Sequence, residues 1–272
     1  MKKAYLGAMA FGVAALIAAS FASTTHADHN SPLLGKMEVD DRRSGYTYME
    51  PETKAIQDDD FENPAMIFVE DGEQLWGSVD GNANKSCQSC HNDAFDSMKG
   101  VAAGYPKYDP KLKKLKSLEQ QINICRTERM QAKPWKWESN ELLAMTIFVR
   151  HQSRGMPVNV SIDDEAAPFF AKGKEFYYER RGQLDMACKH CHEDNAGHMA
   201  RANRLTQGQI NGFPTYRLKW QKVGSVHRRF RGCNKNIRAQ PLKYGADEYV
   251  NLELYVAWRG RGLPVETPSV RN

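Results

Sequence analysis

After its first nineteen residues the chain has no apolar run approaching the roughly 18 unbroken residues that a membrane-spanning helix needs. The run that does exist, Phe11 to Ala19, is too short to span and follows Lys2 and Lys3. Thr25-His26-Ala27 then supplies a small-residue cleavage pattern. Residues 1–27 therefore read as a secretory signal peptide, with the mature chain beginning near Asp28. The expectation is an exported protein without a membrane span, periplasmic in a bacterium.

Apolar residues are also scarce, at 41% of 272. What remains after the signal is long enough for two ordinary domains, although the apolar content is modest for that size. Charge is unevenly placed along the chain. The segment from Asp28 to Glu73 is acidic, densest at Asp58-Asp59-Asp60, while about the last seventy residues are rich in Arg and Lys. The net charge is +5. Such asymmetry is either a solvated surface or a basic face for an anionic substrate or an acidic partner.

Cysteine is limited to six positions: Cys87, Cys90, Cys125, Cys188, Cys191 and Cys233. Four of them lie in Cys87-Gln88-Ser89-Cys90-His91 and Cys188-Lys189-His190-Cys191-His192. Both match C-x-x-C-H, the c-type haem attachment pattern. The thiols add to the haem vinyl groups, and the adjacent His binds iron. No βαβ pattern surrounds either motif, which excludes a thioredoxin-like dithiol. Export and covalent haem together argue against a nucleic-acid partner.

Several landmarks recur. Tyr105-Pro106-Lys107-Tyr108 returns as Phe213-Pro214-Thr215-Tyr216, and Cys125 returns as Cys233, both offset by 108. Arg154-Gly155-Met156-Pro157-Val158 returns as Arg261-Gly262-Leu263-Pro264-Val265, offset by 107. The haem motifs are 101 apart. Nearly constant offsets mean a duplicated domain. Each copy runs helix, C-x-x-C-H, long loop, helix with a lone Cys, closing helix.

Asn63-Pro64 opens the first helix, through about Trp76; Ser161 or Asp163 opens its counterpart, through about Glu179. The closing helices are expected at Asn140 to His151, capped by Ser139, and at Asp247 to Trp258. Their apolar stripes are taken as core packing. The fold class is all-α, two tandem class I cytochrome c-like domains that each wrap one covalent haem. The divisions are 28–60 for the acidic segment, 61–160 for the first domain and 161–272 for the second. The acidic segment is either an arm around a partner or a solvated tail.

In an oxidising compartment two leftover cysteines default to a disulfide. Equivalent haem-side positions in two domains would not bring their Cα atoms within the roughly 7 Å a disulfide needs. Each lone Cys instead falls where a cytochrome c domain places its distal ligand, giving His91 with Cys125 and His192 with Cys233. The usual distal Met has candidates in the first copy, Met130 and Met156. In the second copy methionine after Cys191 is reduced to Met199, too near His192 to reach the far face. Symmetry favours Cys.

The two distal surroundings differ in charge. Around Cys125, Glu119 and Glu128 cancel Arg126 and Arg129; around Cys233 stand Arg228, Arg229, Arg231, Lys235 and Arg238 with no acid. A thiolate among cations is stabilised in its reactive form, and Arg can fork onto a dianionic oxosulfur substrate. The plain alternative is a solvated basic helix face.

At this point the chain resembles the dihaem SoxA family, the A subunit of the SoxAX cytochrome, over nearly all of the mature sequence. The likeness rests on CQSCH, CKHCH, the paired lone cysteines, and above all Arg231-Gly232-Cys233-Asn234 followed by Arg238-Ala239-Gln240-Pro241. The resemblance implies an L-cysteine S-thiosulfotransferase that joins thiosulfate oxidatively to a cysteine of the SoxYZ carrier protein. It implies a heterodimer with a smaller SoxX-like monohaem cytochrome, and electrons leaving through haem to a soluble cytochrome c. Cys233 would be the sulfur-accepting haem ligand, often a persulfide, with haem 1 remote from the chemistry. Arg231 and Arg238 are the expected thiosulfate-orienting residues, Arg229 or Lys235 the reserves. His227 is left outside the catalytic set as structural.

Three other functions compete. A thiosulfate dehydrogenase would form tetrathionate without a carrier. A pure electron-transfer dihaem protein would leave Cys233 chemically inert. A dihaem peroxidase would need Cys233 displaced from its iron.

Overall fold

The computed structural model describes Met1 and residues 37–272. The signal peptide and the start of the acidic segment lie outside the described residues. Residues 37–272 belong to one compact unit.

The acidic segment is folded from Met37 onward. A two-strand ribbon, β1 (Glu38–Val39) and β2 (Arg42–Arg43), leads to helix α1 (Pro51–Asp58). Met37, Tyr46 and Met49 form a small buried cluster. Polar side chains tie this segment to the far end of the sequence. Asn63 donates to the Pro268 carbonyl at 3.0 Å, the Val270 amide donates to Gln57 at 3.0 Å, and Thr53 bonds Asn272 at 2.7 Å. Residues 37–63 are not a solvated tail; they brace the C-terminal strand.

The first repeat holds helices α2 (Met66–Gly77), α3 (Gln88–His91) and α4 (Ala94–Ser97), hairpin β3 (Lys107–Asp109) and β4 (Lys114–Lys116), then α5 (Leu118–Glu128) and α6 (Asn140–His151). Asn63 accepts from the Ala65 amide just ahead of α2. Ser117 caps α5 in a reciprocal box with Gln120, and Ser139 caps α6 by accepting from the Leu142 amide.

The second repeat follows the same order, with α7 (Ala167–Tyr178), α8 (Cys188–His192), the ribbon β5 (Met199–Ala200) and β6 (Asn203–Arg204), hairpin β7 (Thr215–Arg217) and β8 (Lys222–Gly224), then α9 (Val226–Asn236) and α10 (Asp247–Arg259). A last strand, β9 (Ser269–Arg271), adds parallel to β7. The strands are two or three residues long, so the architecture is helical with short β connections.

In each repeat the first long helix crosses the last at a glycine. A Cβ on Gly72 would fall 2.4 Å from Phe148 Cβ; one on Gly173 would fall 2.0 Å from the Asn251 carbonyl oxygen. Glycine lets α2 meet α6, and α7 meet α10, at backbone distance. Both closing helices are apolar and buried nearly all round, from Leu142 to Val149 and from Tyr249 to Ala257. A single buried stripe would serve one partner; these helices also pack across the join between repeats, where Val158 and Ala103 meet Val250 and Leu254. The duplicated R-G-x-P-V segments face one another there, with Gly155 donating to Val265 and Val265 to Met156, both at 2.9 Å.

A charged group is buried near the same join. His227 Nε2 lies 3.1 Å from Glu253, and its Nδ1 accepts from the Gly245 amide at 3.0 Å. An N–H can only donate, so Nδ1 is the acceptor here and Nε2 is the nitrogen that faces the Glu253 carboxylate. Trp137 stacks on that ring at 4.8 Å. His227 is thus held structurally, as expected. Burial first, then the charge of Glu253, holds the Glu119 carboxyl above the usual range, and burial lowers Arg150.

Candidate functional site

The second repeat gathers its chemistry in one cavity of about 180 Å³. Cys188, Cys191 and His192 reach it from α8, and Cys233 from α9. Phe213, Phe230, Leu252 and Val256 supply apolar wall.

His192 is oriented from behind. Its Nδ1 lies 2.8 Å from the Thr206 carbonyl. A carbonyl only accepts, so Nδ1 carries a proton and Nε2 is the nitrogen available as a ligand. Gly208, at φ +79, lies against the ring; a Cβ there would be 2.9 Å from His192 Cγ. The imidazole shares this cavity with the Cys233 thiol.

Burial pushes the Cys233 thiol up, but Arg229, then the neighbouring His192, then Arg217 outweigh it, and the thiol falls to about 6. Cys188, by contrast, is pushed up to about 12, first by burial and then by Cys233.

Arg231 and Arg238, expected at the anion, do not line this cavity; Arg229 does. The reason is helical geometry. At about 100° per residue, a residue two before Cys233 points to another face, whereas one four before it shares the same face. Arg231 donates to the Leu242 carbonyl and lies over the Tyr244 ring at 4.6 Å. Arg238 is exposed beyond the helix end and lines a neighbouring open groove with Arg181, Asn234 and Gln240. Lys235, the other reserve, is exposed.

The first repeat places its donors in the matching order. Cys87 lies near Cys125, whose charge, after burial, helps push the Cys87 thiol up to about 11. Cys90 is exposed, and His91 stands 5.7 Å from the Trp76 ring. Cys125 accepts from Gln121 Nε2 at 3.0 Å. Its helix neighbour Arg126 is turned away, pairing with Asp80 at 2.6 Å and lying over Trp135 at 3.7 Å. Met130 is buried and Met156 lies beside Gly100. All six cysteines are free, so Cys125 and Cys233 form no disulfide.

Two thiols beside an imidazole with a free nitrogen, a third thiol facing it, and apolar walls fit a covalent c-type haem. Comparison with known proteins points the same way. A family model for the SoxA/TsdA cytochrome c domain matches twice, at residues 71–158 and 172–265. The L-cysteine S-thiosulfotransferase subunit SoxA of Rhodovulum sulfidophilum is 48% identical over 233 residues, 86% of this chain and 81% of that protein.

The chain belongs to the SoxA family.

The SoxA subunit of Chlorobaculum tepidum is 35% identical over 77% of this chain and 72% of its own length. The crystal structure of SoxXA from P. pantotrophus superposes with a TM-score of 0.82 at 48% identity, covering 85% of this chain and 87% of that one. As a SoxA-family chain with two matched cytochrome c segments, the protein carries covalently bound c-type haem in each. No helix among the described residues is long and apolar enough to cross a membrane.

Sequence reading missed Arg217, Thr206 and Gly208. The repeat could have exposed Arg217, because its counterpart 108 residues earlier is the oppositely charged Asp109.

Proposed function

We propose that this SoxA-family chain is the A subunit of a periplasmic L-cysteine S-thiosulfotransferase. It pairs with a SoxX-type monohaem cytochrome and conjugates thiosulfate to a cysteine of a SoxYZ-type carrier. One observation carries the reading most: Cys233 shares a cavity with His192 and faces Arg229, which has no ion-pair partner among the described residues. A reactive thiol and an uncommitted guanidinium together suit a sulfur nucleophile that is also a dianion.

The haem attachments assigned here are Cys87 and Cys90 in the first repeat and Cys188 and Cys191 in the second. His91 and Cys125 would hold one iron, His192 and Cys233 the other. Bound haem would take up electrons and release them singly to a soluble cytochrome c. The remaining roles belong to the chain. Arg229 orients the sulfonate group, so that the terminal sulfur of thiosulfate meets Cys233. Arg238, in the adjoining groove, is placed to meet the carrier rather than the small anion.

The sum of the reaction is R–SH + S₂O₃²⁻ → R–S–S–SO₃⁻ + H⁺ + 2 e⁻, where R–SH is the carrier thiol. Cys233 accepts the terminal sulfur in a sulfur–sulfur bond as two electrons leave. The carrier thiolate attacks that sulfur, and the bond to Cys233 breaks with its electron pair on the Cys233 sulfur, by the logic of thiol–disulfide exchange.

The test is peptide mass spectrometry under non-reducing conditions after the oxidised protein meets thiosulfate. An added sulfur or thiosulfonate on the Cys233 peptide, with Cys125 unmodified, is expected. Both peptides unmodified would return the protein to the electron-carrier class.

A further inference from the structure

The two repeats meet across an approximate twofold axis. Gly155 donates to Val265 and Gly262 to Val158, each at 2.9 Å, and the residues of these two bonds are counterparts at an offset of 107. Val158 to Leu263 and Val265 to Met156 repeat the exchange. A small cavity of about 20 Å³ lies at the same join. Both members of several counterpart pairs line it: Leu118 with Val226, Thr146 with Glu253, and Arg150 with Ala257.

The symmetry fails at the polar positions. Glu119 lines the cavity, and its counterpart at an offset of 108 is His227, which faces Glu253 at 3.1 Å. Where the second repeat has Glu253 the first has Thr146, and where the first has Arg150 the second has Ala257. The join therefore gathers two carboxyl groups, 5% and 6% exposed, against one guanidinium. His227 Nδ1 accepts from the Gly245 amide, so the imidazole adds no second cation. Tyr105 is the remaining titratable wall, and burial raises its phenol, which stays neutral. A second carboxylate would be an uncompensated buried charge, and such a group keeps a proton instead. Arg150 Nε and Asn211 Oδ1 are buried at this cavity without a protein partner, and the space admits about one water to bridge them.

The cluster is tied to both lone cysteines by their helices. Glu119 stands six residues before Cys125 on α5, and His227 six before Cys233 on α9, about 9 Å along each helix axis. Ile210 and Phe213 form a partition between this cavity and that of Cys233, and neither carboxyl nor Arg150 lines the latter.

We propose that Glu119 and Glu253 share one exchangeable proton, and that this pair couples protonation at the join to the charge on the haems. An electron reaching either iron raises the affinity of the pair for a proton, which comes from water. The balance is Fe(III) + e⁻ + RCOO⁻ + H⁺ → Fe(II) + RCOOH. A unit charge on the order of 10 Å away, at an effective dielectric constant of about 20, changes that affinity about tenfold. Any one-electron donor drives the step, so it rests on haem bound in both repeats and not on the sulfur reaction proposed above.

The experiment is a spectroelectrochemical titration of the haem-loaded full chain at a series of pH values. Burial and Glu253 hold the Glu119 proton above the usual carboxyl range, and it is lost as pH rises. The potential of at least one haem should fall across that window by about 59 mV in all, the equivalent of a tenfold change for one electron. Glu119→Gln should remove the fall, and Glu119→Asp should keep it at a displaced pH. Thr146→Ser alters the wall without altering its charge and should leave the fall unchanged. Haem carboxylates and ligand thiols also titrate, so the readout is the difference between wild type and variant.

A second measurement needs no variant to fold. The reduced-minus-oxidised infrared spectrum of the wild-type chain should carry the carbonyl stretch of a protonated carboxyl, shifted in D₂O. Absence of that band at every pH would overturn the proposal. So would a Glu119→Gln variant whose potential runs parallel to wild type. If the fall behaves as expected but Cys233 gains no sulfur from thiosulfate, the proton coupling stands and the reaction assignment fails.

Discussion

Gln121 and Arg229 stand four residues ahead of the lone cysteine in their respective repeats, one turn along the same helical face. In the first repeat the side chain is a neutral amide that donates to Cys125 at 3.0 Å. In the second it is a guanidinium lining the cavity of Cys233. The same backbone position therefore decides whether the sulfur beside it sees a dipole or a full positive charge.

Arg229→Gln would give the second repeat the first repeat's residue. A hydrogen bond to a charged group contributes roughly 1.5–3 kcal/mol, so kcat/KM for thiosulfate should fall by about 10- to 100-fold. Arg231→Gln should stay within about twofold, because Arg231 faces Leu242 and Tyr244 instead. Steady-state kinetics on the two variants, with circular dichroism as a fold check, decides the matter.

Gly208→Ala should loosen the His192 ring. The new Cβ would meet the imidazole, and φ +79 is unfavourable for alanine. A loss of about 1–3 kcal/mol is expected, together with altered low-spin absorption of the second haem. Thermal denaturation followed at the haem band and in the far ultraviolet reads both effects.

The helix crossings make a matched pair. Gly72→Ala and Gly173→Ala would each drive a methyl group into backbone of the facing helix. Each should destabilise by about 1–3 kcal/mol or more, read as a lower Tm, and neither should change the charge around Cys233.

Glu119 gives a pH test. Its carboxyl is raised in the folded state by burial and by Glu253, with His227 and Arg150 as the other charged or titratable neighbours of the set. The native state therefore keeps a proton that the unfolded chain has already lost, and stability falls as pH rises through that window. Tm measured from pH 4.5 upward should decline less steeply in Glu119→Gln than in wild type. Parallel curves would sink the assignment of the proton to Glu119.

The sequence revealed what is local or periodic. Two C-x-x-C-H motifs, an offset of 108 and caps such as Ser139 were enough to anticipate α6 and the repeat. The N-terminal segment could not be read, because its partners are Pro268, Val270 and Asn272, some two hundred residues away. Strand β9 is three residues long and pairs with β7, itself three residues long, so neither reaches the length of an alternation pattern. At the site, the basic charge near Cys233 was counted along the chain. Counting it around the helix would have selected Arg229 over Arg231.

Gly72 and Gly173 fix the same helix crossing twice, and each crossing belongs to a repeat with one lone cysteine. The molecule therefore contains its own control. Any reagent, oxidant or metabolite offered to Cys233 meets Cys125 in the same tube, at the same concentration and on a matched scaffold. The ratio of labelling at the two sulfurs cancels dose, exposure time and protein loss, and isolates the chemistry that the second surrounding adds.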